Sequence, residues 1–236
     1  MPVQPPTCSA APEQIGCLDK HHTSAAFRAA WMGLSEQDLR NRAVYEVCFG
    51  RLIRPVWPTL EGVRVLDVGC GAGRWLRWYL EVGAHPADIA GVDISEARFK
   101  AARAMNPLIA LHKIDGEHLP FDDHSFDLVT QWTCFMCVPT PSARARLATE
   151  ILRVLKPGGY VFWLDTLTTH PKLADGARLQ PQDLFPTLPI VLEAHCARQP
   201  PSERARNRFD RFIRRLFLDP LAGGSTHLAA RLGPKL

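Results

Sequence analysis

The chain has 236 residues, 46% of them hydrophobic, and a formal net charge of +4. That is enough apolar material for one core of domain size, and too mild a charge to demand nucleic acid. Its seven cysteines are odd in number and lie mostly inside apolar runs, which fits reduced thiols better than a disulfide framework. No run approaches the roughly 18–20 apolar residues of a membrane span. The start MPVQPPTCSAAPEQ lacks the basic and apolar stretches of a signal peptide. A cytoplasmic protein is therefore expected.

Residues 1–22 are proline-rich and aperiodic, and read as a flexible tail. From Thr23 to Trp57 the apolar spacing is helical, with Ser35 and Asp38 as a capping pair for a helix that runs to about Ile53, before Pro55. The rhythm then changes. VRVLDVG (63–69) is short, apolar and rich in β-branched residues, hence a buried strand. RWLRWYLEVG is a helix ending at Gly83, and DIAGVDI (88–94) is a second strand. SEARFKAARAM is a helix capped by Ser95, followed by strands LIALHKID (108–115) and FDLVTQWT (126–133). PSARARLATEILRVL (141–155) is a helix stopped by Pro157-Gly158-Gly159, and YVFWLDT (160–166) is a fifth strand. A short helix near 181–185, a strand at 189–197, an arginine-rich helix at 202–217 and a last strand at 226–232 complete the chain. Strands alternating with helices predict an α/β protein, a doubly wound, mostly parallel sheet with helices on both faces.

GCGAG (69–73) joins the first strand to the next helix. Glycine costs backbone entropy, so this loop needs unusual dihedrals or close approach to a ligand. In doubly wound sheets, ligands bind at the carboxyl ends of the strands, where the helix N-terminus also offers unpaired N–H groups. Asp93 ends the following strand and can accept both hydroxyls of a ribose, so a nucleoside cofactor is the first inference. The Walker pattern is absent, and the spacing is not G-x-G-x-x-G. Asp67, two residues before the loop, would repel a phosphate and attract an ammonium. A ligand with an amino group and no pyrophosphate is selected, and S-adenosylmethionine fits.

LDVGCGAG, GVDIS, IDGEHLPFDDHSFDLV and EILRVLKPGGYVFW, in that order over residues 60–165, resemble the class I methyltransferases that use S-adenosylmethionine. A closer resemblance, carried by WLDT, LFP and the terminal THL strand, is to a bacterial small-molecule subgroup. The resemblance implies a Rossmann-like seven-stranded sheet with its last strand antiparallel. It implies one methyltransferase domain over 23–236: lid helices at 23–58, a cofactor core at 60–165 and a substrate side at 166–236. It also implies roles. Asp67 faces the methionine ammonium, surrounded by backbone of Gly69, Cys70, Gly71 and Gly73. Asp93 binds ribose and Ile94 flanks adenine. Asp115 accepts from the adenine amino group, while Gly116 or Glu117 offers a backbone N–H. Gln131 lies near the methionine tail or the reacting methyl.

Each residue also has a plainer reading. Asp67 and Asp93 can cap helices, Asp115 can serve the turn at Gly116, and Gln131 can be a satisfied buried amide. Cys134-x-x-Cys137 has half the spacing of a zinc site but no second pair, so ordinary thiols and no metal are expected. Trp31, Trp132, Phe135 and Met136 can line an apolar pocket or be core. In SERARNRFDRFIRRL, Phe209, Phe212, Ile213, Leu216 and Phe217 form an apolar stripe. Arg204, Arg208, Arg211 and Arg215 then make a solvated face, or hold an anionic substrate.

The chemistry expected is methyl transfer to an O or N atom of a small molecule in bacterial biosynthetic metabolism, releasing S-adenosylhomocysteine. Asp165, ending the fifth strand, and His170 are the candidate catalytic residues, with His21 and His22 as further histidines near the lid. The partner expected is a small-molecule acceptor, with no membrane and no nucleic acid, and with a homodimer left open. A methyltransferase of a saccharide, a carrier-bound intermediate or RNA is the second reading. A protein of this fold that binds S-adenosylmethionine without transferring methyl is the third. A nicotinamide oxidoreductase is disfavoured by Asp67 and by the glycine spacing.

Overall fold

Apolar side chains recurring every three or four residues build the first helix of the computed structural model, which describes residues 36–167, 175–196 and 227–235. This helix, α1 (Glu36–Ile53), buries Tyr45, Cys48, Phe49, Leu52 and Ile53 along one stripe. Chain order then alternates as expected: β1 (Val65–Val68), α2 (Arg74–Glu81), β2 (Ile89–Asp93), α3 (Glu96–Met105) and β3 (Ala110–Lys113). There follow β4 (Phe126–Trp132), α4 (Pro141–Val154), β5 (Leu155–Thr166), the single turn α5 (Pro181–Leu184), β6 (Ile190–Cys196) and β7 (His227–Leu232). Local chemistry sets the helix starts. Ser95 Oγ accepts from Arg98 N at α3, and Thr140 Oγ1 accepts from Ala143 N ahead of Pro141 at α4.

The strands form one seven-stranded sheet in the order β3-β2-β1-β4-β5-β7-β6. β1 pairs in parallel with β2 on one side and β4 on the other, and β7 runs antiparallel to both β5 and β6. The order reverses between β1 and β4, which opens a crevice at their carboxyl ends. β1 and β2 are buried at every position, as strands covered on both faces must be. Val65, Leu128, Trp132 and Phe162 face α1 and α2, and Leu66, Val68, Val129 and Trp163 face α4.

Two expectations need correction. β5 begins at Leu155, directly after α4, and not at Tyr160. Pro157-Gly158-Gly159 is a bulge inside it: Phe126 pairs with Leu155, but Leu128 already pairs with Tyr160. The carboxyl-terminal segment fixes that bulge, because Gly158 N donates to Lys235 O (2.6 Å) and Lys235 N to Gly159 O (2.9 Å). Second, Cys48 is disulfide-bonded, against the expectation of thiols throughout, whereas Cys70, Cys134 and Cys137 are free. Among the described residues, no helix is long and apolar enough to cross a membrane.

Phe49 anchors α1, its ring centroid 4.9 Å from that of Phe162 and 5.0 Å from that of Trp78. Phe49→Ala should cost about 3–5 kcal/mol, seen as a lower urea midpoint. Leu39→Ala, on the exposed face of the same helix, should change stability by less than about 0.5 kcal/mol.

Candidate active site

The glycine loop is tied to the end of β2. Gly69 N and Cys70 N both donate to Val92 O at 2.9 Å, and Gly71 N donates to Asp93 Oδ2 at 2.8 Å. Gly69, Gly71 and Gly73 have φ of 74°, 56° and 72°, the left-handed region that glycine enters without strain. Space also excludes a side chain at two of them. A Cβ on Gly69 would stand 2.8 Å from Cys134 Sγ, and one on Gly73 would strike the Asn106 amide. Gly71 differs, since the nearest group to its Cβ position is the Arg98 guanidinium at 3.6 Å. Cys70 packs beneath the loop with its thiol pKa pushed well up, by burial first and then by the charges of Asp93 and Asp67. A thiol so held is inert.

Asp67 lies in the middle of the sheet, almost wholly buried. Its Oδ1 accepts from Thr130 Oγ1 at 3.0 Å, and its Oδ2 is buried with no partner. Burial, opposed by the Thr130 hydrogen bond and reinforced by the nearby Asp93, pushes its pKa up to about 8. The residues that orient it were not visible in the sequence. Trp132 Nε1 donates to Tyr79 Oη (2.7 Å), Tyr79 Oη donates to Thr130 Oγ1 (2.8 Å), and Thr130 donates onward to Asp67. Stacking of Trp132 on Trp75, centroids 3.8 Å apart, locks the far end of this relay.

Asp93 is buried as well, but its carboxylate is fully engaged. Oδ1 accepts from Ser95 N (2.8 Å) and Oδ2 from Gly71 N, while Arg98 Nη2 reaches both oxygens at 3.2 and 3.1 Å. Ile94 follows it, and a Cβ on Gly116 would come 3.3 Å from Ile94 Cγ2, so these two residues face each other closely. Asp115 is exposed, its Oδ1 capping the turn by accepting from Glu117 N (2.9 Å) and His118 N (3.1 Å). Glu117 in turn holds Arg146 of α4 at 3.0 Å.

Gln131, the penultimate residue of β4, lies one residue beyond Thr130, on the other face of the sheet. Its Oε1 accepts from Cys134 N at 3.0 Å, while its Nε2 is buried without a partner. Thr133, two residues on, holds φ at 58°, a backbone that β-branched residues adopt only under constraint. Asp165 supplies part of that constraint. Its Oδ2 accepts from Met136 N (3.2 Å) and its Oδ1 from Thr166 N (2.9 Å), so the carboxylate anchors the turn 133–137. Burial, partly offset by these backbone N–H groups, pushes its pKa up to about 7.

Trp132 and Phe135 are core, the latter against Trp163 and Phe185. Burial and the Asp165 charge push the Cys137 thiol up to about 12. Among the described residues, no group of three or more potential metal ligands occurs. His21, His22, Trp31, His170 and the arginine-rich stretch 202–217 lie outside the described residues.

Among the described residues, the buried and unsatisfied atoms at the crevice include Asp67 Oδ2, the Gln131 Nε2 amide nitrogen and, beside Asp93, Arg98 Nε. An acceptor for an ammonium and a donor for a carboxylate suit an amino-acid tail. The donor set therefore fits S-adenosylmethionine and is poor for a phosphate.

Comparison with known proteins agrees with that chemistry. A family model described as a methyltransferase domain matches residues 65–159. The phthiotriol/phenolphthiotriol dimycocerosates methyltransferase 1 of Mycobacterium ulcerans is 40% identical over 108 residues, 45% of this chain and 38% of that protein. The ubiquinone biosynthesis O-methyltransferase of Bordetella avium is 33% identical over 120 residues, 48% of this chain and 46% of that protein. The chain thus spans less than half the length of these curated relatives. Among solved structures, a chain of the complex between the Haloferax volcanii Trm112 methyltransferase activator and a methyltransferase superimposes with a TM-score of 0.64. It is 20% identical, over 89% of this chain and 95% of that one, and shares the fold. Residues 65–159 of the chain thus match a methyltransferase domain.

Proposed function

We propose that this protein transfers the methyl group of S-adenosylmethionine to an O or N atom of a small molecule in bacterial biosynthetic metabolism. The observation that carries this reading is the buried Asp67 carboxylate, held on one oxygen by Thr130 and left without a partner on the other. In this reading Asp67 receives the methionine ammonium and Gln131 Nε2 the carboxylate end. Backbone of Gly69, Cys70, Gly71 and Gly73 surrounds the tail, and Asp93 binds ribose. Ile94 and Gly116 flank the adenine, and Asp115 with Glu117 serves its edge. The names of the two relatives, one of them an O-methyltransferase, support a small-molecule acceptor and an oxygen target.

The cofactor, when bound, supplies a methyl group that is already electrophilic. The chain has to hold it, align an acceptor behind it and keep water out. We assign the acceptor side to residues 23–58 and 166–236, which flank the cofactor core 60–165. Asp165 and His170 are the candidates for an acceptor's proton. A pKa of about 7 places Asp165 in the range useful for that task. Its present engagement with Met136 N and Thr166 N makes it first an anchor for the turn that Gln131 also holds.

Calorimetric titration with S-adenosylhomocysteine, with NAD and ATP as controls, tests the core of the proposal. Saturable binding is expected for the first alone, and Asp93→Ala should weaken it by about 1–3 kcal/mol. Binding of NAD in its place would sink the reading. Release of S-adenosylhomocysteine from S-adenosylmethionine with phenol-type but not amine acceptors would select oxygen.

Asp67 adds a proton-linked signature. Its folded pKa, raised from 3.8 to about 8, leaves it mostly protonated at pH 7 in the free protein. An arriving ammonium favours the charged form, so binding at pH 7 should release close to one proton. Titrations in buffers of different ionisation enthalpy measure this, and Asp67→Asn should abolish it.

The same shift governs stability. The folded state binds the proton more tightly than the unfolded state. The contribution is therefore full below pH about 4 and is lost as pH rises through about 8. Asp165, raised to about 7, acts with the same sign. The urea midpoint of the free protein should fall between pH 5 and 8, with a shallower fall for Asp67→Asn.

A further inference from the structure

An ionised carboxylate offers about four acceptor sites on its two oxygens. On Asp93 all four are taken, by Gly71 N, by Ser95 N and by two contacts from Arg98 Nη2. The first two donors are backbone groups. They belong to the glycine loop and to the start of α3, and cannot leave without unfolding both. Arg98 is the one donor that a side-chain rotation can remove.

We infer that Arg98 is an internal stand-in for the cofactor's ribose, occupying the Asp93 acceptor sites that the sugar hydroxyls need and leaving them when the nucleoside binds. This rests on the reading of Asp93 as the ribose ligand. Three further observations support it. The guanidinium lies beside the Cβ position of Gly71, the loop glycine whose side-chain space is otherwise open, so it stands between the loop and Asp93. Its Nε is buried and has no hydrogen-bond partner, so the inward position leaves one donor of the fork unused. Its side chain is 21% exposed, against 1% for Asp93, so the exit to solvent is on the Arg98 side.

The arrangement has a thermodynamic consequence. When a binding-competent state is populated only in part, apparent affinity falls by that fraction. The inward Arg98 is the incompetent state, and cofactor binding is an exchange of one set of Asp93 partners for another. It also keeps a buried carboxylate compensated while the site is free, since an uncompensated buried charge is costly. Arg98 is thus a positioning residue that tunes affinity through Asp93. A guanidinium released to the rim remains within reach of the crevice.

Calorimetry with S-adenosylhomocysteine on the full chain and four variants tests this. Arg98→Met keeps the stem and removes the fork, and should bind about three- to tenfold more tightly than the parent. Its melting temperature without ligand should drop, and its ligand-induced rise should be larger. Arg98→Gln, which can return one hydrogen bond to Asp93 and so protects the fold, should lie between. In an Asp93→Ala background the gain from Arg98→Met should vanish, because the competition has no object. Unchanged or weaker binding by both Arg98 variants overturns the inference and would make Arg98 a bystander or a direct cofactor ligand. Unchanged binding by Asp93→Ala alone overturns the ribose reading itself, a different failure from that of Arg98.

Discussion

Three consecutive backbone N–H groups of the glycine loop end on two consecutive residues of β2. Gly69 N and Cys70 N donate to Val92 O, and Gly71 N donates to Asp93 Oδ2. Everything else at the crevice depends on that docking. It demands positive φ at Gly69, Gly71 and Gly73, which L side chains resist. It sets the start of α2 and so places Tyr79, whose hydroxyl orients Thr130 and through it Asp67. It also brings the loop within hydrogen-bond distance of the carboxylate that ends β2. A short loop between β1 and α2 thereby ties the strand that carries Asp67 to the carboxylate of Asp93 at the end of β2.

Those two carboxylates are kept in opposite conditions. Asp67 has one partner and one vacant oxygen in a medium that disfavours its charge, so its pKa rises to about 8. Asp93 receives four contacts from three donors, two of the contacts from Arg98 Nη2, so both its oxygens are paired. Buried polar groups are normally satisfied, and an exception calls for an explanation. At Asp67 the proposed methionine ammonium would meet that exception. At Asp93 the protein supplies a positive charge itself, through Arg98. The same end of the sheet thus holds one carboxylate with an unpartnered oxygen and one whose oxygens are both paired.

The part of the chain shared with the methyltransferase domain model, residues 65–159, is the part that builds this crevice. Asp165 lies just beyond that part. It is the penultimate residue of β5 and pins the turn 133–137, so the constrained backbone at Thr133 and the position of Gln131 both lean on it. That link ties the cofactor side to whatever lies beyond Thr166.

How much of this was legible in the sequence follows from the range of each interaction. Strand and helix identities were readable because they are local: VLDV and IAGVD carry the uniform apolar signature of strands buried on both faces, and Ser95 and Thr140 cap within four residues. Asp67, Asp93 and the three glycines were readable because their chemistry is carried by residue type at short spacing. The extent of β5 was not, because Pro157-Gly158-Gly159 reads as a stop, and only pairing with Lys235 makes it a bulge. Cys48 was misread for the same reason, since a disulfide is a long-range contact that spacing alone does not reveal.

The sequence by itself determined the α/β order, the strand-loop-helix turn and the acidic residues at its edge, because burial patterns and glycine dihedrals are written in neighbouring residues. Only the tertiary structure decided which of those carboxylates is vacant and which is filled. Thr130 meets Asp67 through parallel strand register, Tyr79 reaches Thr130 from a helix packed across the sheet, and Arg98 folds back onto Asp93 around the glycine loop. Hydrogen-bond capacity is a property of residue type, but its occupancy is set by what the fold brings within about 3 Å.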